Sequence, residues 1–194
     1  MVGSIGRPND GRLNGGTQMP QMAGVFVVNP ERAWGTPETI DLIELAVNET
    51  LALFPGSPDV IIGDISKRHG GPLPPHRSHR SGRDVDFSYF PKIPLPSHFF
   101  TKMTPITLDV ERTWHFLETL LLTDRVQYIF IDRSLQKPLY EYVQMGYSKE
   151  RLSQWFQYPR SASTRQGVIR HVAGHSNHIH VRFKCPETDD RCVP

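Results

Sequence analysis

Residues 172–183 read VAGHSNHIHVRF, and three histidines, His175, His178 and His180, fall within this short run. Successive side chains of a β-strand point to opposite faces, so residues two apart share a face. Read as a strand, HIHVRF sets Ile179, Val181 and Phe183 on one face, which suits a core. His178, His180 and Arg182 then line the other. Two imidazoles side by side can share a metal ion, or one can bind it while the other works beside it. An ordinary half-exposed strand would show the same alternation, so the run acquires meaning only from what faces it.

The facing piece lies about a hundred residues earlier, in PPHRSHRSGRDVDFSYF, residues 74–90. From Asp84 to Tyr89 the chain alternates again. Val85, Phe87 and Tyr89 point one way, and Asp84, Asp86 and Ser88 the other. The preceding HRSHRSGR is a loop with Gly82 as its flexible point. A histidine of that loop, His79, can fold back over the start of the strand and meet Asp86. The two segments together offer His, Asp and His to one divalent ion, and zinc enzymes use three protein ligands while leaving a position for water. The nine histidines are also unevenly spread: His69, His76 and His79 form one block and His171, His175, His178 and His180 another. His98 and His115 stand alone and read as structural.

SHRSGRDVDF with a distant GHSNHIHVRF resembles the penicillin-insensitive murein endopeptidases, within the metallopeptidase group that includes lysostaphin, D-Ala-D-Ala peptidases and the hedgehog fold. That group carries a His and an Asp separated by six residues, then His-x-His far downstream. GRLNGG at 11–16, RAWGTPE at 32–38 and HVRFKCP at 180–186 extend the resemblance from about Arg12 to Cys192. It implies one Zn2+ per chain held by His79, Asp86 and His180, with His178 as catalytic base or transition-state stabiliser and His175 as a further catalytic histidine. His76, three residues before the first ligand, and Arg77 match positions that support the ligands or bind substrate. The chain departs from its relatives in VAGH, where an aromatic residue often precedes GH, and at Ser176, where an acidic residue is expected; both bear on substrate preference. The fold implied is α+β, with a small antiparallel sheet carrying the zinc between helices and long loops.

The implied ligand set leaves the ion a net charge of about +1, and water on such zinc reaches a pKa of about 7. Attack on a peptide carbonyl follows, with the metal stabilising the oxyanion. No HExxH helix supplies a glutamate base, so His178 takes that role, with His175 as partner or oxyanion donor. No S-x-x-K stands near the histidine blocks, so a penicillin finds no serine to acylate there. The expected reaction is hydrolysis of peptide cross-links in peptidoglycan, of the D-Ala-diaminopimelate type. A zinc D,D- or L,D-carboxypeptidase, or a catalytically silent zinc-stabilised wall-binding module, is the alternative. An iron oxygenase would also use two histidines and a carboxylate, but six residues separate His79 from Asp86 where His-x-Asp is usual, and the number of helices disfavours a jelly roll.

Bulk properties bound the rest. At 194 residues one domain is the default: an extended Gly- and Asn-rich segment at 1–22 and a single metallopeptidase domain at 23–194. Hydrophobic residues at 38% and charged residues at 22% describe a globular chain. A net charge of +2 is too small to imply nucleic acid. No run reaches the roughly 18 apolar residues of a membrane helix, and MVGSIGRPNDGRLNGG contains no signal core. The resemblance implies a periplasmic or otherwise exported protein, whose signal would be absent from this chain. Cys185 and Cys192, in CPETDDRC, could close a short disulfide in an oxidising compartment or remain two free thiols; they lack metal-ligand spacing.

The helices predicted are 36–54, capped by Thr36 with Pro37 in the first turn, then 108–122, then 133–146 disturbed by Pro138, and a short one begun by Ser148. Strands are expected at 59–66 and 126–132. The prolines of 90–100 break regular structure. Residues 66–78 and 159–170 read as basic loops beside the cleft, and Arg77, Arg80, Arg83 and Arg165 could meet substrate carboxylates. No repeat and no βαβ regularity is visible, which argues for α+β.

Overall fold

The computed structural model describes residues 2–94 and 98–194. Two of its helices, the first and the last, begin at the caps expected for them, Thr36 and Ser148. In α1 (Pro37–Leu53) the Thr36 hydroxyl accepts a hydrogen bond from Thr39 N at 3.1 Å, and Pro37 opens the first turn. Ile40, Ile43, Ala46 and Val47 recur at helical spacing and are buried. Asp109 caps α2 (Val110–Leu122) by accepting from Arg112 N at 3.0 Å. Its buried stripe includes Phe116, Leu117 and Leu120. Pro138 lies inside α3 (Arg133–Val143) without ending it. The carbonyl left without its helical partner belongs to Ser134, which is exposed and can turn to water. Ser148 caps α4 (Lys149–Trp155).

Six strands form the central sheet, in the order β4 (Val25–Val27), β6 (Val60–Ile62), β7 (Asp84–Phe87), β10 (Ile179–Phe183), β8 (Val126–Phe130), β9 (Ile169–Arg170). The inner pairs are antiparallel, as expected, but both outer pairs, β4 with β6 and β8 with β9, are parallel. The sheet is therefore mixed, where the expected sheet is antiparallel, although the α+β class holds. Parallel neighbours need a crossover; α1 supplies it between β4 and β6, and α3 and α4 between β8 and β9. Strands of three and two residues are too short to show periodicity, and in the sequence β9 is indistinguishable from the basic loop before it.

One face of this sheet is the core. Val85, Phe87, Ile179, Val181 and Phe183 are buried on it. α1 packs on α2 and α2 on α3, and Phe87 meets Phe116 edge to face at 5.1 Å. Burying such a ring contributes on the order of 2–3 kcal/mol, enough to hold β7 in register.

The first 22 residues contain extended strands. β1 (Gly3–Arg7) and β2 (Asp10–Asn14) form a hairpin, and β3 (Thr17–Gln18) pairs with β5 (Trp34–Gly35). The hairpin is tied to the end of the chain: Ser4 N donates to Asp189 Oδ2 at 2.6 Å and Gly6 N to Arg191 O at 2.8 Å. Gly3 has φ +143°, and a Cβ there would stand 1.9 Å from Asp189 Oδ1. Cys185 and Cys192 form a disulfide that closes the loop carrying Asp189. Arg83 joins these parts. Fully buried, its guanidinium donates to Ser4 Oγ, Phe183 O and Val193 O. Arg83 is thus a structural clamp and not a cleft residue. No helix among the described residues is long and apolar enough to cross a membrane.

Candidate functional site

Register decides which polar residues meet. β10 and β7 pair with His180 opposite Asp86 and Arg182 opposite Asp84, so all four share the polar face of the sheet. His180 Nδ1 lies 2.9 Å from Asp86 Oδ1. Its other nitrogen, Nε2, donates to Asp84 Oδ1 at 3.0 Å. His79 arrives from the loop. Its backbone has φ +61°, unusual outside glycine. Two bonds hold it there: its N–H donates to Asp84 Oδ2 at 3.0 Å, and its Nδ1 donates to Ile65 O at 3.2 Å. With Nδ1 so engaged, Nε2 is left for the centre, 3.1 Å from His180 Nδ1 and 3.3 Å from Asp86 Oδ1.

His79 Nε2, Asp86 Oδ1 and His180 Nδ1 therefore form a triangle with sides of 2.9–3.3 Å. Ligand atoms around a tetrahedral zinc stand roughly 3.3 Å apart, so the donor set fits such an ion with little adjustment. All three residues are buried. Burial would raise the Asp86 pKa, but the charge and hydrogen bonds of His79 and His180 hold it well below the usual carboxylate range. Burial likewise opposes the charge on Asp84, and the hydrogen bond and charge of His180, with Arg182, override it. For His180 burial lowers the pKa while the hydrogen bonds and charges of Asp84 and Asp86 lift it to about 9.

His76 stands on the other side of Asp86. Its Nδ1 is 3.8 Å from Asp86 Oδ2, and its Nε2 donates to Asp64 Oδ2 at 2.7 Å, a carboxylate also held by Arg32. The ligand atoms of His76, His79 and Asp86 lie within 4.8 Å of one another, a second grouping that could hold a metal. His178 stacks on Phe100, ring centres 5.3 Å apart. Its Nδ1 donates to Asn177 Oδ1 at 2.8 Å, and its Nε2 lies 3.9 Å from Asp86 Oδ1. Burial pushes its pKa down to about 4; Asp86 opposes this and the histidines around it reinforce it. His175 donates from Nδ1 to Val172 O and Ala173 O. Its pKa is lowered by burial and by the charge of His180. Both rings thus present an unprotonated Nε2 at neutral pH.

These groups floor an open groove whose walls include Arg7, Asn9, Arg77, Phe130, Val172 and Pro194. Arg77 lies in it, as expected, while Arg165 lines an adjoining pocket. Asp84 and Asp64 join the site without standing in the motif that marks its other residues. For Asp84 a signal existed, since the D-V-D alternation sets it on the face of Asp86; for Asp64 none did. One S-x-x-K spacing occurs, Ser134 to Lys137, but Ser134 Oγ donates to Asp132 and exposed Lys137 pairs with Glu141.

Buried imidazoles and carboxylates at the floor of a groove, flanked by two neutral histidines, are the equipment of a water-activating hydrolase. Residues 4–194 match the sequence family described as penicillin-insensitive murein endopeptidase, and the chain belongs to that family of peptidases. A penicillin-insensitive murein endopeptidase of Pectobacterium atrosepticum is 26% identical over 206 residues, covering 97% of this chain and 67% of the relative.

Proposed function

We propose that this chain is a zinc endopeptidase that hydrolyses peptide cross-links of murein, of the D-Ala-diaminopimelate type. The observation that carries the reading is the triangle of His79 Nε2, Asp86 Oδ1 and His180 Nδ1. These three residues would hold one Zn2+ per chain, with His76 and Arg77 around them. When bound, the ion supplies Lewis acidity, which activates water and polarises a carbonyl.

The protein's own groups do the rest. Asp84 accepts a hydrogen bond from Nε2–H of His180 and so turns Nδ1 towards the centre, while the Ile65 carbonyl does the converse for His79. His178 is neutral and its Nε2 free, which suits a base that takes the proton of the attacking water and returns it to the leaving amine. His175 has its N–H committed to two carbonyls, so it serves as an acceptor beside His178 and not as an oxyanion donor. Residues 1–22 act as an arm on one catalytic unit at 23–194. The disulfide and the name of the relative favour a periplasmic or otherwise exported protein.

The test is digestion of cross-linked muropeptides, untreated, with penicillin and with a chelator, the products weighed by mass spectrometry. Cleavage should survive penicillin, stop with the chelator and return with zinc. Loss of activity with penicillin, or full activity after verified metal removal, would overturn the mechanism. Release of a terminal D-Ala alone would indicate a carboxypeptidase, and no cleavage at all a silent wall-binding module.

A further inference from the structure

The polar face of the sheet continues beyond the histidines. Register sets His180 opposite Phe130 and Phe130 opposite Arg170, so the three stand side by side across β10, β8 and β9. Two residues along, Arg182 faces Tyr128. The Phe130 ring stacks on His180 at 5.2 Å, and Tyr128 stacks on Phe130 at 6.1 Å. Arg170 lies over the Tyr128 ring at 4.2 Å, with its Nε donating to Gly167 O at 2.6 Å. Arg165, on the loop above, is exposed and lines the same pocket. This pocket shares Phe130, Val172 and Arg182 with the catalytic groove, and no carboxylate lines it.

The charges in the pocket are unequal. Arg182 is committed to Asp84 at 2.7 Å. Arg170 uses Nε on a backbone oxygen, which leaves the terminal N–H groups of a five-donor guanidinium. Arg165 makes no ion pair among the described residues. Two guanidiniums without an anion, above an aromatic floor, match a planar carboxylate, which arginine grips in bidentate fashion.

We propose that this pocket binds a free carboxylate of the peptide substrate and so selects which peptides enter the groove. The proposal rests on the peptidase reading and adds the substrate's charge and its place. Neighbouring strands are about 4.8 Å apart, so Arg170, two strands from His180, stands roughly 10 Å away. An extended peptide advances about 3.3 Å per residue, which sets the carboxylate about three residues from the bond that is cut. Phe130 and Tyr128 lie beneath the intervening residues.

The experiment compares cross-linked muropeptide dimers with the same dimers after their carboxylates are converted to carboxamides. Wild type, Arg165→Gln and the double variant Arg165→Gln/Arg170→Gln are assayed. On the free-carboxylate dimer the double variant should raise KM roughly 10- to 100-fold, the range of a lost charge-assisted hydrogen bond, with kcat within about twofold. On the carboxamide dimer wild type and variant should share one raised KM. Should the double variant not fold, exposed Arg165→Gln carries the comparison alone. An unchanged KM, or an equal rise on both dimers, overturns the proposal. Calorimetric binding of the free-carboxylate dimer to the zinc-loaded proteins separates the two readings. If wild type cleaves neither dimer, the peptidase reading fails; the pocket then stands only if the variants bind more weakly, and equal affinity ends it.

Discussion

Replacing Asp84 by asparagine tests how the centre is held. The Asp84 carboxylate is fully buried and accepts three bonds: from His180 Nε2 at 3.0 Å, Arg182 Nε at 2.7 Å and His79 N at 3.0 Å. Every partner is a donor. Asparagine has one accepting oxygen, so its NH2 must face a donor on one side, and the charge is lost. Two costs follow. The first is orientation: with its one oxygen kept on His180 and Arg182, the amide turns NH2 towards His79 N–H and loosens the loop that aims His79, while a neutral acceptor holds His180 less firmly. Losing such an outer partner lowers metal affinity about 10- to 100-fold, or roughly 1.4–2.7 kcal/mol. The second is stability. Arg182 and protonated His180 lose their buried counter-charge, and breaking a buried pair costs about 3–5 kcal/mol. For a chain of this size each kcal/mol moves Tm by about 2–4 °C, so a fall of at least roughly 6 °C is expected without metal. Titration against a chromophoric chelator reads the affinity, and thermal melts with and without zinc read the stability. Excess zinc should restore most of the activity, because the three ligand atoms remain. An unchanged zinc Kd in the folded variant would refute the orienting role. Complete loss of binding would make Asp84 a ligand in its own right.

Replacing His178 by alanine should keep the metal while lowering turnover by about 10²–10⁴, as for removal of a general base; near-normal turnover would leave His178 a merely structural residue. In the metal-free protein the His180 pKa is raised to about 9, so a proton competes for Nδ1 at lower pH. Apparent zinc affinity should rise about tenfold per pH unit up to about 9 and then level, whereas a flat profile between pH 6 and 8 would contradict this. The same raised pKa stabilises the metal-free fold fully below about pH 6.5, and that contribution should fade as pH rises through about 9, as melts at stepped pH would record. Replacing Cys185 and Cys192 by serine opens a loop worth about 2.5 kcal/mol in the chain-entropy account, which predicts a Tm lower by roughly 5–10 °C. Amide exchange at Ser4 and Gly6 should quicken with metal content unchanged, and protection equal to wild type would show that the disulfide does not hold the hairpin.

What could be read from the sequence is what short-range geometry controls. Period-two alternation sorted HIHVRF and DVDF into a core face and a polar face without knowledge of the fold. Thr36 and Ser148 announced their helices because a cap is a bond across three residues. The family was legible in SHRSGRDVDF and GHSNHIHVRF. Other features depend on which distant strands become neighbours, and no local period encodes that choice. The parallel edges β4 and β9 exist only because helices carry the chain across the sheet. Arg83 looked like one basic residue of a loop, yet lies buried because three chain segments close around it. Asp84 shares a face with Asp86 by alternation alone, but its hold on His180 follows from the antiparallel register of β7 and β10. His79 adopts a left-handed backbone because Asp84 and Ile65 grip it from two sides. Alternation told which side chains point the same way; only long-range pairing, through the spacing of strands and the direction of their hydrogen bonds, brought those side chains within bonding distance.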